Sequence, residues 1–381
     1  MKAYRLFVIL LVVIIALPLA GRVFWLMKKS KPINILIINK SVQKSSQNEV
    51  KAVNWILNYE KFVDSDYDLY DFEIDYMGYF PDAISEDRKV KSFKLDEIPS
   101  LSENKDALFF IDNAGAELNL KGGKNSGRPA YGGFNQNDYF LLKEMVNKKK
   151  LVVAEYNFFA PPTEELVRYN TEQFLDLYSL GWTGKFFDNL AKERIKETIS
   201  INWFDLYKQN YSVDWDYSGP GIVLLNPGQN RILVLPSSNY MDSEYPSVIT
   251  SPELAAYYNV PLSVSYDGWF DIPFEGSNLV ISHMDMNLNQ DGVDLLRKNG
   301  IDSKFPIVIQ SKNKKFYYMG GDFSKEPVSL LSSRYGFIST ILRNVEGKNA
   351  LNPRKFYPVY YSHLLAGILN DYYSGIPEKK N

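Results

Sequence analysis

The sequence predicts an α/β chain: a doubly wound, mostly parallel sheet with inserted β-hairpins and loops, preceded by an N-terminal transmembrane helix. Three observations carry that expectation. An apolar run opens the chain, short β-branched and aromatic runs alternate with helix-period segments through the first half, and no low-complexity linker divides the remainder.

The opening run spans residues 6–27, with Lys2 and Arg5 before it and the basic stop Lys28-Lys29-Ser30-Lys31-Pro32 after it. As a helix it would reach roughly 33 Å, enough for a bilayer core. Arg22 would snorkel near one interface, with Phe24 and Trp25 at headgroup depth. A cleavable signal peptide ending at Leu19-Ala20 is the alternative, weakened by Pro18 at the −3 position. The expected arrangement is a single-pass protein with a cytoplasmic N-terminus and an extracytoplasmic body, periplasmic or on the cell surface. Residues 1–32 would be the anchor and its stop. Residues 33–381 would be one α/β domain, with elaborations at residues 181–275.

Past the anchor, residues 33–39 (INILIIN) form a continuous apolar run of the kind buried on both faces of a parallel sheet. Asn48 can cap a helix over residues 49–63, whose apolar face carries Val50, Val53, Ile56 or Leu57, and Phe62. Residues 67–79 alternate imperfectly and read as a strand, and residues 107–112 (ALFFID) as a buried one. A Gly- and Asn-rich loop over 113–135 then leads into a helix at 136–147. Residues 151–155 (LVVAE) are the next strand, and Pro161-Pro162-Thr163-Glu164-Glu165 opens a helix to about residue 178, with proline and acids where a first turn accepts them.

The second half has a different texture. Residues 181–210 centre on Trp182, Phe186, Phe187, Trp203 and Phe204. Residues 222–225 and 231–235, joined by Asn226-Pro227-Gly228-Gln229-Asn230, read as a hairpin. Residues 241–277 are polar and loop-rich. Strands at 279–282 and 306–309 flank a helix at 292–299, a strand at 316–319 ends on Gly320-Gly321-Asp322-Phe323, and a helix at 357–373 closes the chain.

The strand–helix order over residues 33–178, closing on Lys315-Phe316-Tyr317-Tyr318-Met319-Gly320-Gly321-Asp322-Phe323, resembles the class I glutamine amidotransferase-like superfamily, a flavodoxin-like architecture. Its catalytic members carry a cysteine on a sharp strand-to-helix elbow. The corresponding positions here are Asn113-Ala114-Gly115 or Tyr156-Asn157-Phe158, and the chain contains no cysteine. The resemblance therefore implies a noncatalytic binding or scaffold derivative.

Composition narrows the chemistry. The 381 residues carry net charge −2, no cysteine and two histidines, which excludes thiolate nucleophiles, disulfides and Cys-based metal centres. Without residues 1–27 the body stands at −5, opposite in sign to a nucleic-acid binder. No cofactor and no metal are expected. There is no G-x-S-x-G, Walker, G-x-G-x-x-G or H-E-x-x-H pattern, and the S-x-x-K matches at Ser41 and Ser311 lack their companion elements. Gly122-Gly123-Lys124-Asn125-Ser126-Gly127-Arg128 reads as a surface loop. Asp285 to Gly292 fails the calcium-loop pattern, leaving Asn289 or Asp291 as a helix cap. Asp64, Asp66, Asp68 and Asp71 read as the polar face of a half-exposed strand.

The candidate catalytic residues are the strand-end acids Asp112, Glu155 and Asp322, with His283 as a possible base, because a doubly wound sheet gathers its carboxyl ends along one edge. The candidate ligand-binding residues are Tyr156, Asn157, Trp215 and Trp269, rings and amides in polar loops that suit sugar faces. The leading expectation is a membrane-anchored, noncatalytic domain that binds a glycan or a cell-envelope partner. A carboxylate-dependent polysaccharide hydrolase and a structural subunit of an envelope assembly are the alternatives.

Overall fold

The computed structural model describes residues 16–41, 46–80, 90–115, 131–196, 198, 202–312, 315–337 and 353–376. In chain order the first half contains β1 (Ile35–Asn39), α1 (Ser46–Glu60), β2 (Met77–Tyr79), β3 (Val90–Lys91), α2 (Ile98–Asn104), β4 (Ala107–Asp112), α3 (Gln136–Asn147), β5 (Leu151–Ala154) and α4 (Glu165–Leu175). It continues with β6 (Tyr178–Phe187), α5 (Asn202–Tyr211), β7 (Gly221–Asn226), β8 (Arg231–Pro236), β9 (Ser247–Thr250), α6 (Pro252–Tyr258), β10 (Ser263–Ser265) and β11 (Trp269–Phe274). The last elements are β12 (Leu279–Asp285), α7 (Gln290–Arg297), β13 (Lys304–Gln310), β14 (Phe316–Met319) and α8 (Ser362–Ser374).

Ten of these strands form one sheet in the order β10-β9-β12-β13-β14-β5-β4-β1-β2-β3. The segment β14-β5-β4-β1-β2 is parallel throughout, with registers such as Phe109↔Val153 and Ile37↔Phe109. Read from β2, these five strands have the flavodoxin-like order 2-1-3-4-5, whose direction of winding reverses between β1 and β4. The other pairings in this sheet are antiparallel, so it is mixed and not mostly parallel as expected. A separate four-stranded antiparallel sheet, β8-β7-β6-β11, contains the expected hairpin.

Burial of both sheet faces follows from the runs themselves. Ile35, Ile37, Phe109, Ile111 and Val153 point to one side, where α1 and α8 cover them with Val53, Leu57, Leu365 and Leu369. The alternate residues Leu36, Ile38, Leu108, Phe110 and Val152 point to the other, against Leu141, Leu142 and Met145 of α3. Each such side chain contributes about 1.5–3 kcal/mol relative to exposure, which is why no polar alternation was visible in these strands. Gly78 takes φ +138°, and a Cβ there would stand 1.6 Å from the Asn39 carbonyl oxygen, so only glycine lets β2 run beside β1. The start of α3 is fixed by Asn135, whose side chain accepts from Asn137 N and Asp138 N at 3.0 and 3.1 Å while Asp138 accepts from Asn135 N at 2.7 Å.

Several sequence expectations are corrected. No helix among the described residues is long and apolar enough to cross a membrane, so the transmembrane helix and the single-pass localisation built on it are not supported. Residues 6–15 of the expected span lie outside the described residues. Residues 16–27 are helical, and their end is docked on the body. Trp25 is 4% exposed, its Nε1 donates to the Asn58 carbonyl at 3.0 Å, and Gly336 N donates to the Gly21 carbonyl at 2.7 Å. The expected basic stop is also bound to protein: Lys28 and Lys31 pair with Glu60 at 3.5 and 3.3 Å, and Lys28 Nζ donates to the Tyr59 carbonyl at the end of α1. Cations at that position are favoured by the partial negative charge of a helix C-terminus.

The expected strand at 67–79 shrinks to Met77–Tyr79, because Asp64 Oδ1 accepts from both Asp66 N and Asp68 N at 2.9 Å and folds the acidic stretch into a turn. The helix expected at 161–178 runs only over Glu165–Leu175 and stops at Asp176, which is left-handed at φ 52°. The strand Tyr178–Phe187 begins directly after it, in a stretch read as short aromatic segments. The region 241–277, expected as loop, holds β9, β10, β11 and α6. Asn289 caps α7 by accepting from Gly292 N at 3.0 Å. The loop at Gly122 to Arg128 lies outside the described residues.

Truncating a buried tryptophan costs about 3–5 kcal/mol. Because Trp25 joins a terminal helix to the body, Trp25→Ala is expected to release residues 16–27 and leave the rest folded. Limited trypsin digestion should then cut at Lys28 and Lys29 much faster while the main thermal transition barely moves; unchanged digestion would show that the docking is not held by this side chain.

Candidate functional site

The carboxyl ends of β4, β5 and β14 bring Asp112, Glu155 and Asp322 into one electrostatic cluster, as expected for acids at the ends of parallel strands. Two further acids join them. Glu49 enters from the first turn of α1, buried at 3% exposure and repelled by the carboxylates of Asp112, Asp322 and Glu155, and Asp271 enters from β11. Asp271 arrives through a backbone link between the two sheets: Asp271 N donates to the Gly320 carbonyl at 2.7 Å and Asp322 N to the Trp269 carbonyl at 2.9 Å.

Each acid has defined partners. Glu155 is 2% exposed; Tyr361 from the closing helix and Ser324 hydrogen-bond to it, yet its Oε2 has no partner. Glu49 Oε2 is likewise buried without a partner. Asp112 Oδ1 accepts from Ala114 N at 2.7 Å, and its other support is the Asn157 side chain. Asp271 Oδ2 accepts from Asn157 N and from Tyr318 Oη, both at 3.1 Å. Asn157 therefore ties two acids together, and it does so from a left-handed conformation at φ 64° that asparagine tolerates better than most residues. Asp322, with 8% of its side chain exposed, pairs with Lys325 at 3.3 Å.

Desolvation dominates the electrostatics. It pushes Asp112, Glu155 and Asp271 up to about 7, against the hydrogen bonds that favour their charged forms, and it pushes Glu49 well above the usual carboxylate range. Asp322 is also raised by burial, partly offset by the Lys325 charge. For Lys325 burial works the other way, but Asp322 and Glu49 outweigh it and raise its pKa. Lys185 on β6, its Nζ donating to the Asp267 carbonyl at 3.1 Å, is lowered by burial. Near neutral pH such a cluster holds protons that isolated carboxylates would have lost, and protonated carboxyls can both donate and accept.

Beside the cluster opens a cavity of about 320 Å³, lined by Lys185, Tyr266, Trp269, Asp322 and Lys325 among others. Asp112 and Glu155 do not line it. A second cavity, of about 230 Å³, lies near the ends of β1 and β2, where the ammonium of Lys40 is taken up by Asp138 and by the Gly133 carbonyl at 2.9 Å. Among the described residues no group of three or more histidines or acids is arranged to hold a metal ion.

The remaining candidates separate clearly. Trp269 lines the cavity, its ring held edge-on by Trp203 and Phe187. Tyr156 bonds Thr183 Oγ1 at 3.1 Å and, with Asn157, belongs to the polar interior supporting the acids. Trp215 is 9% exposed in a separate aromatic core and donates to the Leu190 carbonyl at 2.8 Å. His283 sits on β12, where burial lowers its pKa and its charged neighbours are Lys304 and Glu275, none of them members of the cluster. Neither proposed elbow passes sharply from strand to helix within the described residues. After β5 the chain turns through 156–159 and α4 begins only at Glu165.

No protein-family model matches the chain, and no curated protein matches it. Among solved structures it is similar to a putative ThuA-like protein from Bacteroides uniformis ATCC 8492, at 10% identity and TM-score 0.42, over 93% of this chain and 96% of that one. It is also similar to a putative ThuA-like protein from Parabacteroides merdae ATCC 43184, at 9% identity and TM-score 0.34, over 76% and 79% of the two chains. At these identities and scores neither likeness assigns an activity.

The raised carboxyl groups bind protons more tightly folded than unfolded, so they favour folding most at low pH. Their contribution should fall as pH rises from the unfolded values near 4 to the folded values of about 7, and then level off. Glu155→Gln, which fixes a neutral group at that position, should flatten the decline in thermal midpoint across this range. An unchanged pH profile would show that Glu155 is ionised in the folded protein.

Proposed function

We propose that the chain binds a saccharide in the cleft beside its buried acid cluster. The observation that carries this reading is the lining of the 320 Å³ cavity: Trp269 and Tyr266 stand with Asp322, Lys185 and Lys325 around a space suited to a small polar ligand. An indole beside charged hydrogen-bonding groups matches the alternating apolar faces and hydroxyl edges of a sugar ring. The cleft lies at the carboxyl end of the parallel strands, where open α/β sheets place their ligands.

Carboxyl-dependent hydrolysis is the second reading, favoured by the upward shifts of Asp112 and Glu155. It asks for two carboxyl groups flanking one glycosidic bond. Of the three strand-end acids only Asp322 lines the cleft, so the strand-end acids do not face it as a pair; the other carboxyl residues of its lining are Asp267 and Glu326.

Calorimetric titration of the full chain against a panel of oligosaccharides tests both readings. Trp269→Ala should weaken binding of the best ligand by roughly tenfold, the scale of one stacking contact. New reducing ends released from that ligand, and lost in Asp322→Asn, would favour hydrolysis. Absence of binding across the panel would sink the saccharide reading.

A further inference from the structure

One lysine of the cleft is held differently from its neighbours. Lys40, Lys208 and Lys325 each rest their ammonium on a carboxylate, those of Asp138, Asp214 and Asp322. Lys185 does not. Among the described residues its Nζ forms no ion pair, and its hydrogen bond runs to a neutral acceptor, the Asp267 carbonyl at 3.1 Å, with the Phe187 ring centroid 5.7 Å away. An ammonium brings three N–H donors and no lone pair, whereas a neutral amine brings two donors and a lone pair. A half-buried nitrogen with one neutral acceptor therefore suits the amine better than the ion.

The position of Lys185 is set by the second sheet. It stands inside β6, in register with Trp269 of β11 on one side and Val223 of β7 on the other. Lys185 and its neighbour Trp269 both line the 320 Å³ cavity, together with Asp322 and Lys325. Lys325, held charged by Asp322, is a second cation at this cavity. Burial lowers the Lys185 pKa first and the Lys325 charge lowers it further, while Asp267, Asp322 and Asp188 pull it up without reversing the shift. A lysine desolvated beside another cation is the setting in which the amine becomes a nucleophile.

We propose that Lys185 is a nucleophile that holds an aldehyde-bearing saccharide in the cleft as an imine. The inference rests on the saccharide reading and narrows it to reducing sugars in their open-chain form. The lone pair of Nζ forms a bond to the aldehyde carbon as the carbonyl π pair moves onto oxygen. That oxygen takes up two protons and leaves as water when the carbon–oxygen bond breaks, and the nitrogen gives up two. Amine and aldehyde thus yield imine and water, with no change of oxidation state. The Asp322 carboxyl, raised by burial, lines the same cavity and is the group that relays these protons.

The test incubates the full chain at pH 7 with glyceraldehyde or ribose and cyanoborohydride, which reduces an imine to a stable secondary amine, and locates the added mass by peptide mapping. Lys185 should be labelled at least roughly tenfold faster than the exposed Lys29 and Lys298, a modest share of what a positioned proton donor contributes to such a step. Lys185→Arg should remove the fast site. Lys325→Gln should slow labelling of Lys185 at pH 7 and move its pH profile upward, because a neighbouring cation that favours the neutral amine is gone; this variant keeps the test open if Lys185→Arg fails to fold. Labelling of Lys185 no faster than that of the exposed lysines would overturn this inference, and an oligosaccharide that still bound, and bound less well to Trp269→Ala, would leave the saccharide reading intact. Fast labelling of Lys185 in a chain that binds no oligosaccharide would support the nucleophile and remove the saccharide reading instead.

Discussion

The architecture turns on a short stretch of backbone where the two sheets meet. After β14 the chain does not turn away from the sheet; it continues through Gly320 and Gly321 and hydrogen-bonds to Asp271 and Trp269 of β11, with Phe270 and Gly321 forming a bridge. Both glycines make close approaches: a Cβ on Gly320 would lie 3.2 Å from Ile307 Cδ1, and one on Gly321 would lie 2.1 Å from the Phe323 ring. This contact places a β11 ring on the wall of the cleft and a β11 acid among the acids of the parallel strands. Without it the four-stranded sheet would be a surface elaboration with no part in the site.

The interior that results is unusual in what it buries. Most proteins reserve such positions for apolar groups, because an isolated ionised carboxyl is costly away from water. Here acids from five elements share one region, and among the described residues their partners are phenols, hydroxyls, amides, backbone N–H groups and Lys325. The arrangement is stable because its members need not all be charged. The bond from Tyr361 to Glu155 and the bonds from Asn157 and Tyr318 to Asp271 orient these carboxyls while leaving protons to balance the charge.

Much of the parallel core was legible because its strands are buried on both faces, and residues 35–39, 107–112 and 151–154 are therefore uninterrupted apolar runs. The gathering of Asp112, Glu155 and Asp322 was legible for the same reason, since strand ends follow from strand runs. Glu49 and Asp271 were missed. The first resembles an ordinary first-turn acid of a helix, and the second stands in a strand whose neighbourhood depends on the other sheet. The strand Tyr178–Phe187 was obscured by its glycines and by partial exposure along much of its length. Trp215 was taken for a ligand-facing ring because loop sequence does not reveal that Phe204 and Tyr207 enclose it. The N-terminal run misled most, since hydropathy alone does not register Trp25 and Lys28 finding partners on α1.

The register of β14 against β5, with Phe316 beside Val152, has a consequence for how the protein is made. A chain emerging from the ribosome can assemble β1, β4 and β5 with α1 and α3 early, because all of these elements lie before Glu155. The fifth parallel strand must wait for the whole second sheet and the antiparallel extension. Asp271 arrives with the second sheet, and Asp322, Lys325 and Tyr361 after it, so the acids already in place at Asp112 and Glu155 are enclosed only as the last third of the chain closes over them. The cleft is thus among the last features to form during synthesis, and a nascent chain that stalls before β14 would carry a formed nucleus with no site.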